Sequence, residues 1–233
     1  MNLLTLLVPM AMVFAQTEPT VLIDQSFTLH EPGGEERIGS YALYAEEAAD
    51  TIKITESVAL KIDGEMFDLT SLVSYAKDEG GGWAFRSAEG TTGVDGNAFM
   101  EVDVEPNGNE WAVKAVLLRN HRGEVLDQPK TIKRSITVPD GPVLFSSARA
   151  VMGPRLQPEP GEQAVVWVEF PDDLDEPIEV KEGFSLVRGE TDEQGGFTIM
   201  VRSEHQEIGP VPLDQDGKIK PYKLWCEVEM RKK

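Results

Sequence analysis

The sequence predicts an all-β protein, antiparallel and sandwich-like, with one elongated domain or two small ones and little helix beyond residues 1–15. Three observations lead to this prediction. Residues 98–138 read as three consecutive strands with their turns, residues 51–62 alternate between apolar and polar side chains, and turn signals recur through both halves of the chain. A spacing of about ten residues between such turns is typical of a β-sandwich.

The central meander, residues 98–138, carries the clearest signal. Met100, Val102 and Val104 alternate with acidic residues, which is the period-two pattern of a half-buried strand. Asn107-Gly108 supplies the positive φ angles of a tight hairpin turn, after which residues 111–118 return as an apolar strand. A second turn leads into residues 124–138, which alternate again. We therefore expect three neighbouring antiparallel strands.

Residues 51–62 form the clearest single strand, with one irregular position. Ile54 and Val58 share the apolar parity, and Glu56 interrupts it midway between them. Such an interruption marks a β-bulge, a bend between sheets or a carboxylate that points inward.

Four other segments before the meander carry weaker signals. Residues 21–29 predict a first strand, with Gln25 as its polar interruption. Residues 38–49 are compatible with a helical turn leading into a strand, and residues 65–69 predict a hairpin strand. Residues 70–77 suit a helix or a strand, and the surrounding β pattern favours the strand. Residues 87–97 are polar with three glycines and predict a long surface loop.

Two stretches divide the chain. Residues 1–15 are apolar and carry no charged side chain, yet they are shorter than the roughly 20 residues of a membrane span. They predict a secretory signal peptide, and hence export to the periplasm, cell surface or extracellular space without membrane insertion of the mature chain. Residues 139–161 predict a semi-extended connection rich in proline and glycine, between an N-terminal β domain (16–138) and a C-terminal β segment or domain (162–233).

Charge and cysteine content narrow the function classes. Acidic residues number 41 against 22 basic ones, which gives a formal charge of −19. A field of that sign repels phosphate backbones and anionic lipid surfaces, so nucleic acid is excluded as an expected partner. Cys226 is the single cysteine, so no intramolecular disulfide can form and the fold must be stable by packing, which suits a bacterial exported protein. We expect Cys226 itself to be a buried strand residue.

An acidic loop is the candidate metal site. Its carboxylates belong to Asp172, Asp173, Asp175 and Glu176. Calcium takes six to eight oxygen ligands, and a loop of closely spaced carboxylates supplies several. The segment 214–217 (Asp-Gln-Asp-Gly) also resembles the beginning of a calcium loop, although lysines follow it. Solvated turns are the alternative, which the acidic composition favours.

Trp83 is the candidate ligand platform. It follows three glycines, and an exposed tryptophan in a secreted β module can stack on a sugar ring, although large aromatic side chains are usually buried. Ser74 and Lys77 match the Ser-x-x-Lys pattern of a serine nucleophile, but the accompanying Ser-Asp-Asn and Lys-Thr-Gly motifs are missing. No histidine or cysteine pair has the spacing of a zinc site.

These observations favour a non-catalytic binding or structural role in a bacterial envelope or secretome, with an unidentified protein or glycan partner. The first alternative is a secreted hydrolase whose carboxylates are assembled by the fold, for example Glu56 with a partner from the central meander. The second is a surface module stabilised by calcium, which would then be its one cofactor.

Overall fold

The computed structural model describes residues 18–62, 64–120, 123–170, 176–222 and 229–232. The predicted signal peptide, the aspartates at 172, 173 and 175, and Cys226 lie outside these residues. In the described chain, no helix is both long and apolar enough to cross a membrane.

The described residues form two β-sheets and one short helix, which confirms the predicted all-β class. The larger sheet has nine antiparallel strands in the order β14-β1-β2-β3-β4-β5-β6-β7-β8 and curls into a half-barrel. Its strands are β1 (Thr20–His30), β2 (Arg37–Ala48), β3 (Thr51–Ile62), β4 (Glu65–Lys77), β5 (Trp83–Val94), β6 (Asn97–Asn107), β7 (Glu110–Arg119), β8 (Val125–Thr137) and β14 (Glu229–Lys232).

The smaller sheet has five strands in the order β13-β12-β11-β10-β9. All its pairs are antiparallel except β9 with β10, which run parallel. A 3₁₀ turn (Ser146–Ala148) and helix α1 (Arg149–Leu156) connect these two parallel strands. The strands are β9 (Val143–Phe145), β10 (Gly161–Glu169), β11 (Glu179–Arg188), β12 (Phe197–Arg202) and β13 (Glu207–Leu213).

The three strands of the predicted meander are confirmed as β6, β7 and β8. Gly108 has a φ of 63°, as the predicted hairpin turn requires. The alternation within β3 is confirmed as well, and its pairing with β2 and β4 continues through Glu56 without a register shift. Of the three explanations for Glu56, the inward-pointing carboxylate is therefore the correct one.

Two local predictions are wrong because helix-favouring residues lie inside strand β2 and glycines lie inside strand β5. Residues 38–49 lie almost entirely in β2, without a helical turn, because pairing with strands on both sides overrides local propensity. Residues 87–94 belong to β5 rather than to a surface loop. A Cβ at Gly90 would lie 3.0 Å from the ring of Phe170, so this glycine marks a close approach between the two sheets.

The predicted semi-extended connection also contains regular structure. Residues 149–156 form α1 despite Gly153 and Pro154, so an extended conformation is wrong for this part. A Cβ at Gly153 would lie 2.7 Å from Ile199 Cγ2, so its absence lets the helix pack directly on β12. Buried side chains from β9, α1 and both sheets form one hydrophobic cluster. The division into two domains stays a prediction, although β14, near the C-terminus, pairs with β1.

Candidate ligand-binding cavity

A cavity of about 1330 Å³ lies between the curled sheet and the smaller sheet. One part of its lining is polar and includes Tyr41, Glu56, Ser147, Arg149 and Tyr222, which we call the polar cluster. Another part is apolar and comes from neighbouring strands of the curled sheet. Its side chains are those of Val58, Leu60, Ile62, Phe67, Leu69 and Val94, which we call the apolar wall.

Strand β3 connects the polar cluster to the apolar wall. Alternate residues of a strand point to one face, so Glu56, Val58, Leu60 and Ile62 follow one another along the cavity. Along the apolar part of this path the exposure increases, from 6% at Val58 to 47% at Ile62. Phe67, which pairs with Leu60 from β4, is 42% exposed. Tyr41 and Ser147 of the polar cluster are each 5% exposed, so the cavity has a deep end at the polar cluster and an open end at Ile62.

Glu56 is a partly buried carboxyl group with a defined partner. The hydroxyl of Tyr41 on β2 donates a 2.9 Å hydrogen bond to Glu56 Oε1. Burial raises the pKa of Glu56, while the Tyr41 hydrogen bond and the charge of Arg149 act in the opposite direction. Burial and the neighbouring Glu56 also raise the pKa of Tyr41. Among the described residues, the groups that act on Glu56 thus come from β2 and α1, not from the central meander.

Two unsatisfied donors belong to the same cluster. In the described part of the chain, the buried side-chain atoms without a hydrogen-bond partner are Ser71 Oγ, Ser147 Oγ, Arg149 Nε and Arg188 Nε. Ser147 and Arg149 line the cavity, and Ser71 lies directly opposite Glu56 in the β3–β4 pair. Arg188 lies elsewhere, with its guanidinium 4.2 Å from the centre of the Phe197 ring. Buried polar groups are normally paired, so open donors beside a cavity are available to an acceptor that binds there.

The segment after β13 closes one side of the cavity. Ile219 and Tyr222 line it, and both backbone groups of Ile219 are held by Gln25 of β1. Gln25 Nε2 donates to the Ile219 carbonyl at 3.1 Å, and the Ile219 N–H donates to Gln25 Oε1 at 2.8 Å. The polar interruption noticed in the first strand therefore fixes a wall of the cavity.

Four charged residues near the open end are predominantly acidic: Glu65, Asp68, Asp95 and Arg119. Two of the carboxylates bind the adjoining turn, since Asp68 Oδ2 accepts from the Gly96 N–H at 2.9 Å and Asp95 Oδ1 from the Met66 N–H at 3.0 Å. The Arg119 guanidinium donates to the Gly123 carbonyl and to Asn97 Oδ1. These contacts leave an acidic excess around the opening.

Glu169 is a second carboxylate on the cavity lining, but it is already paired. Trp167 Nε1 donates to it at 2.9 Å, and Lys181 Nζ lies 2.5 Å from its Oε1. Burial acts to raise the pKa of Glu169, but the hydrogen bonds from Lys181 and Trp167 outweigh that effect and lower it. Glu169 is therefore an ion-pair partner, whereas Glu56 is the carboxyl group whose pKa is raised.

Comparisons with known proteins give structural neighbours of unassigned function. No protein-family model matches the chain, and no curated protein does. A DUF1089 family protein from Pseudomonas aeruginosa is 13% identical, with a TM-score of 0.40 over 75% of this chain and 84% of its own. A β-barrel-like protein of the domain of unknown function DUF1849 from Brucella abortus is 12% identical, with a TM-score of 0.46 over 92% of this chain and 94% of its own.

The predicted ligand platform, Trp83, lies away from this cavity. It begins β5, is partly buried against the core, and borders a second hollow of about 600 Å³. Lys77 Nζ lies 5.3 Å from the centre of its ring. A role for Trp83 in stacking on a sugar stays a prediction.

The predicted calcium loop cannot be placed as a unit, because of its four residues only Glu176, which is exposed, is described. Within the described ranges, no three histidine, cysteine, aspartate or glutamate side chains are grouped so that they could hold a metal ion. In the second candidate loop, Asp214 Oδ1 accepts from the N–H groups of Asp216 and Lys218, both at 2.9 Å. Asp78 and Asp192 hold their own turns in the same way. The Asp214 pattern is thus that of a hairpin turn.

The Ser-x-x-Lys pattern lies on β4, not on a helix. Residues three apart in a strand point to opposite faces, so Lys77 is not placed to activate Ser74. Ser74 Oγ instead lies 2.7 Å from Ser87 Oγ, and Lys77 pairs with Asp50 at 3.6 Å.

Sequence reasoning identified Glu56 but missed its neighbours. The parity break in β3 was a usable signal for Glu56. Arg149 and Ser147 belong to a stretch of mixed character, where an arginine between apolar residues was the only sign of a buried charge. Tyr41 follows the alternation of an ordinary core residue, so nothing local distinguished it.

Proposed function

We propose that this chain is an exported, non-catalytic binding protein of a bacterial envelope or secretome, and that it holds an apolar or amphipathic small molecule in the cavity between its sheets. The proposal rests on the size and lining of this cavity. Ligand pockets usually measure about 300–1,000 Å³ and combine apolar walls with convergent polar groups. This cavity combines the apolar wall with the polar cluster at a somewhat larger size. The apolar residues Ile62 and Phe67 at its open end give such a ligand a point of entry.

A displacement assay with the mature chain, residues 16–233, tests the proposal. An uncharged fluorophore such as phenylnaphthylamine should brighten on binding, since it becomes brighter in apolar surroundings. Leu60→Trp places a large side chain in the cavity and should weaken binding by about tenfold or more, which corresponds to about 1.4 kcal/mol. The matched control is Lys61→Trp, because Lys61 is exposed and points to the opposite face of β3. Unchanged binding in Leu60→Trp, or no binding by the native chain, would refute the proposal.

Export has its own test. Expression of the full chain in a bacterium with sequencing of the mature N-terminus should give a product that begins near Gln16, recovered outside the cytoplasm. A product that retains Met1 would refute export without affecting ligand binding.

A hydrolase remains the second candidate, and one observation favours it. Glu56 is a partly buried carboxyl group with a raised pKa on the lining of a cavity, which is the environment of a general acid or base. The candidate predicts turnover of an ester or glycoside panel that Glu56→Gln abolishes. Binding of the fluorophore without turnover of any panel member would leave the binding function as the better description.

A further inference from the structure

We infer that the ligand is an uncharged acyl lipid whose headgroup carries an ester, amide or hydroxyl oxygen, and that this oxygen accepts hydrogen bonds from Ser147 and Arg149 at the deep end of the cavity. This inference rests on the proposed binding function and adds the chemical class of the ligand and its orientation.

The open donors define the chemistry of the headgroup. Arg149 Nε carries a hydrogen and can only donate. This atom is buried and has no hydrogen-bond partner. Ser147 is 5% exposed, and its hydroxyl is likewise unpartnered. Both residues line the cavity beside Glu56. A ligand oxygen here would satisfy two buried donors at once, whereas a purely apolar ligand would leave both unsatisfied.

The charges around these donors select against an anionic headgroup. Arg149 and Glu56 both line the cavity and carry opposite formal charges, so the formal charge of the polar cluster is zero. A carboxylate or phosphate placed there would add an unbalanced charge in a buried site. The approach is unfavourable for an anion too, since Glu65, Asp68 and Asp95 outnumber Arg119 at the opening and the chain carries a formal charge of −19.

The shape of the apolar wall suits an extended tail. From Glu56 to Ile62 the strand advances six residues, which is about 20 Å at 3.3 Å per residue. Val58, Leu60 and Ile62 face the cavity along this path, with Phe67 and Leu69 of β4 beside them. A headgroup at Arg149 would therefore direct a long acyl chain along β3 towards the open end.

Competition among lipids that share one tail tests the inference. The assay titrates monooleoylglycerol, oleate or oleylamine against phenylnaphthylamine bound to the mature chain. It uses a mildly alkaline buffer and lipid concentrations below those at which the lipids aggregate. Monooleoylglycerol should displace it at a concentration about tenfold lower than oleate, the equivalent of about 1.4 kcal/mol. Equal or tighter binding of oleate, or tighter binding of oleylamine, would overturn the inference while leaving the cavity a binding site. Failure of phenylnaphthylamine and every lipid to bind would overturn both proposals.

Variants at the donors test the orientation. Arg149→Met and Ser147→Ala should each weaken the binding of monooleoylglycerol several-fold. The binding of octadecene, which has the tail without the headgroup, should stay unchanged. Arg86→Met is the matched control, because Arg86 is exposed on β5 and outside the cavity lining. An equal loss of affinity for octadecene, or an unchanged affinity for monooleoylglycerol, would show that the donors do not hold a headgroup. Where Arg149→Met fails to fold, as judged by its urea midpoint, Ser147→Ala decides the same question.

Discussion

The two ends of the concave face of the nine-stranded sheet follow one sequence pattern, yet one end is filled and the other is hollow. At the filled end, Ile52, Tyr75 and Phe85 are neighbours on β3, β4 and β5, and all are buried. Phe145 of β9 packs over them, with its ring centre 4.9 Å from that of Phe85. Its N–H donates a buried hydrogen bond of 3.1 Å to the Tyr75 hydroxyl. The second sheet is thus anchored directly on this end.

At the hollow end, the same strands carry Glu56, Leu60 and Phe67, and the cavity takes the place of a packed partner. The alternation of β3 is equally regular in both halves. The comparison teaches that period-two alternation specifies which side chains face inward, but it does not specify whether another layer covers them. Cover at the filled end comes from a three-residue strand in which Phe145 lies 70 positions beyond Tyr75 in the chain.

The largest expected effect is on stability at the filled end. Phe145→Ala should lower the free energy of unfolding by about 3–5 kcal/mol, because it leaves a cavity under several aromatic rings. Urea denaturation followed by tryptophan fluorescence measures the change.

The matched substitution at the hollow end is Phe67→Ala. Phe67 is 42% exposed, so its loss should change the free energy of unfolding by less than about 1 kcal/mol while weakening binding of phenylnaphthylamine. Equal destabilisation by the two substitutions would remove the distinction between the ends.

The filled end was largely predictable from the sequence, since alternation with explicit turn residues predicts paired strands. Strands β3, β6, β7 and β8 were found in this way. Residues 87–94 of β5 were predicted as a loop because they contain glycines. Gly90 and Gly93 serve close approaches in the folded protein, to Phe170, which is distant in the chain, and to Asn97, which lies across a turn. A glycine that allows tertiary contact and a glycine in a loop look alike in one sequence.

The cavity was predictable only at Glu56. Its cluster combines residues from β2, β3, α1 and the segment after β13, which come together through the docking of two sheets. That docking depends on non-local contacts, which a single sequence does not encode in any local pattern. Gln25, like Glu56, is a polar residue at an apolar position of an alternating strand, so the sequence shows that it is unusual. Its partner Ile219 could not be predicted, because it lies 194 positions away.

A smaller effect, on the pH dependence of stability, is expected at Glu56, which lies on β3 between the filled end and the hollow end. The pKa of Glu56 is raised in the folded protein by burial, so the native state binds this proton more tightly than the unfolded chain. The resulting stabilisation is complete below the unfolded pKa, near 4.5, and is lost as the pH rises through the folded pKa. Glu56→Gln should remove this contribution, and urea midpoints measured across the acidic to neutral range would show it.

The control for that measurement is Glu101→Gln, since Glu101 is exposed on β6. The stability of wild type relative to Glu56→Gln should fall with rising pH, and Glu101→Gln controls for the loss of one carboxylate from the chain. A difference that grows with pH for Glu56 would mean that its pKa is lowered on folding, which would contradict the raised pKa of this partly buried carboxyl group.

Small effects are also expected at two turns of the same design, one at each end. Asp78 connects β4 to β5 beside the filled end, and Asp214 follows β13 and precedes Ile219 on the cavity wall. Each aspartate accepts two backbone N–H groups, so Asp78→Ala and Asp214→Ala should each cost about 1 kcal/mol. Only Asp214→Ala should also weaken binding of phenylnaphthylamine, because it loosens the segment that Gln25 holds against the cavity. Thermal melting in calcium and in chelator separates this turn role from metal binding: the cost of Asp214→Ala should be the same in both, and a cost that appears only with calcium would make Asp214 a ligand of the ion.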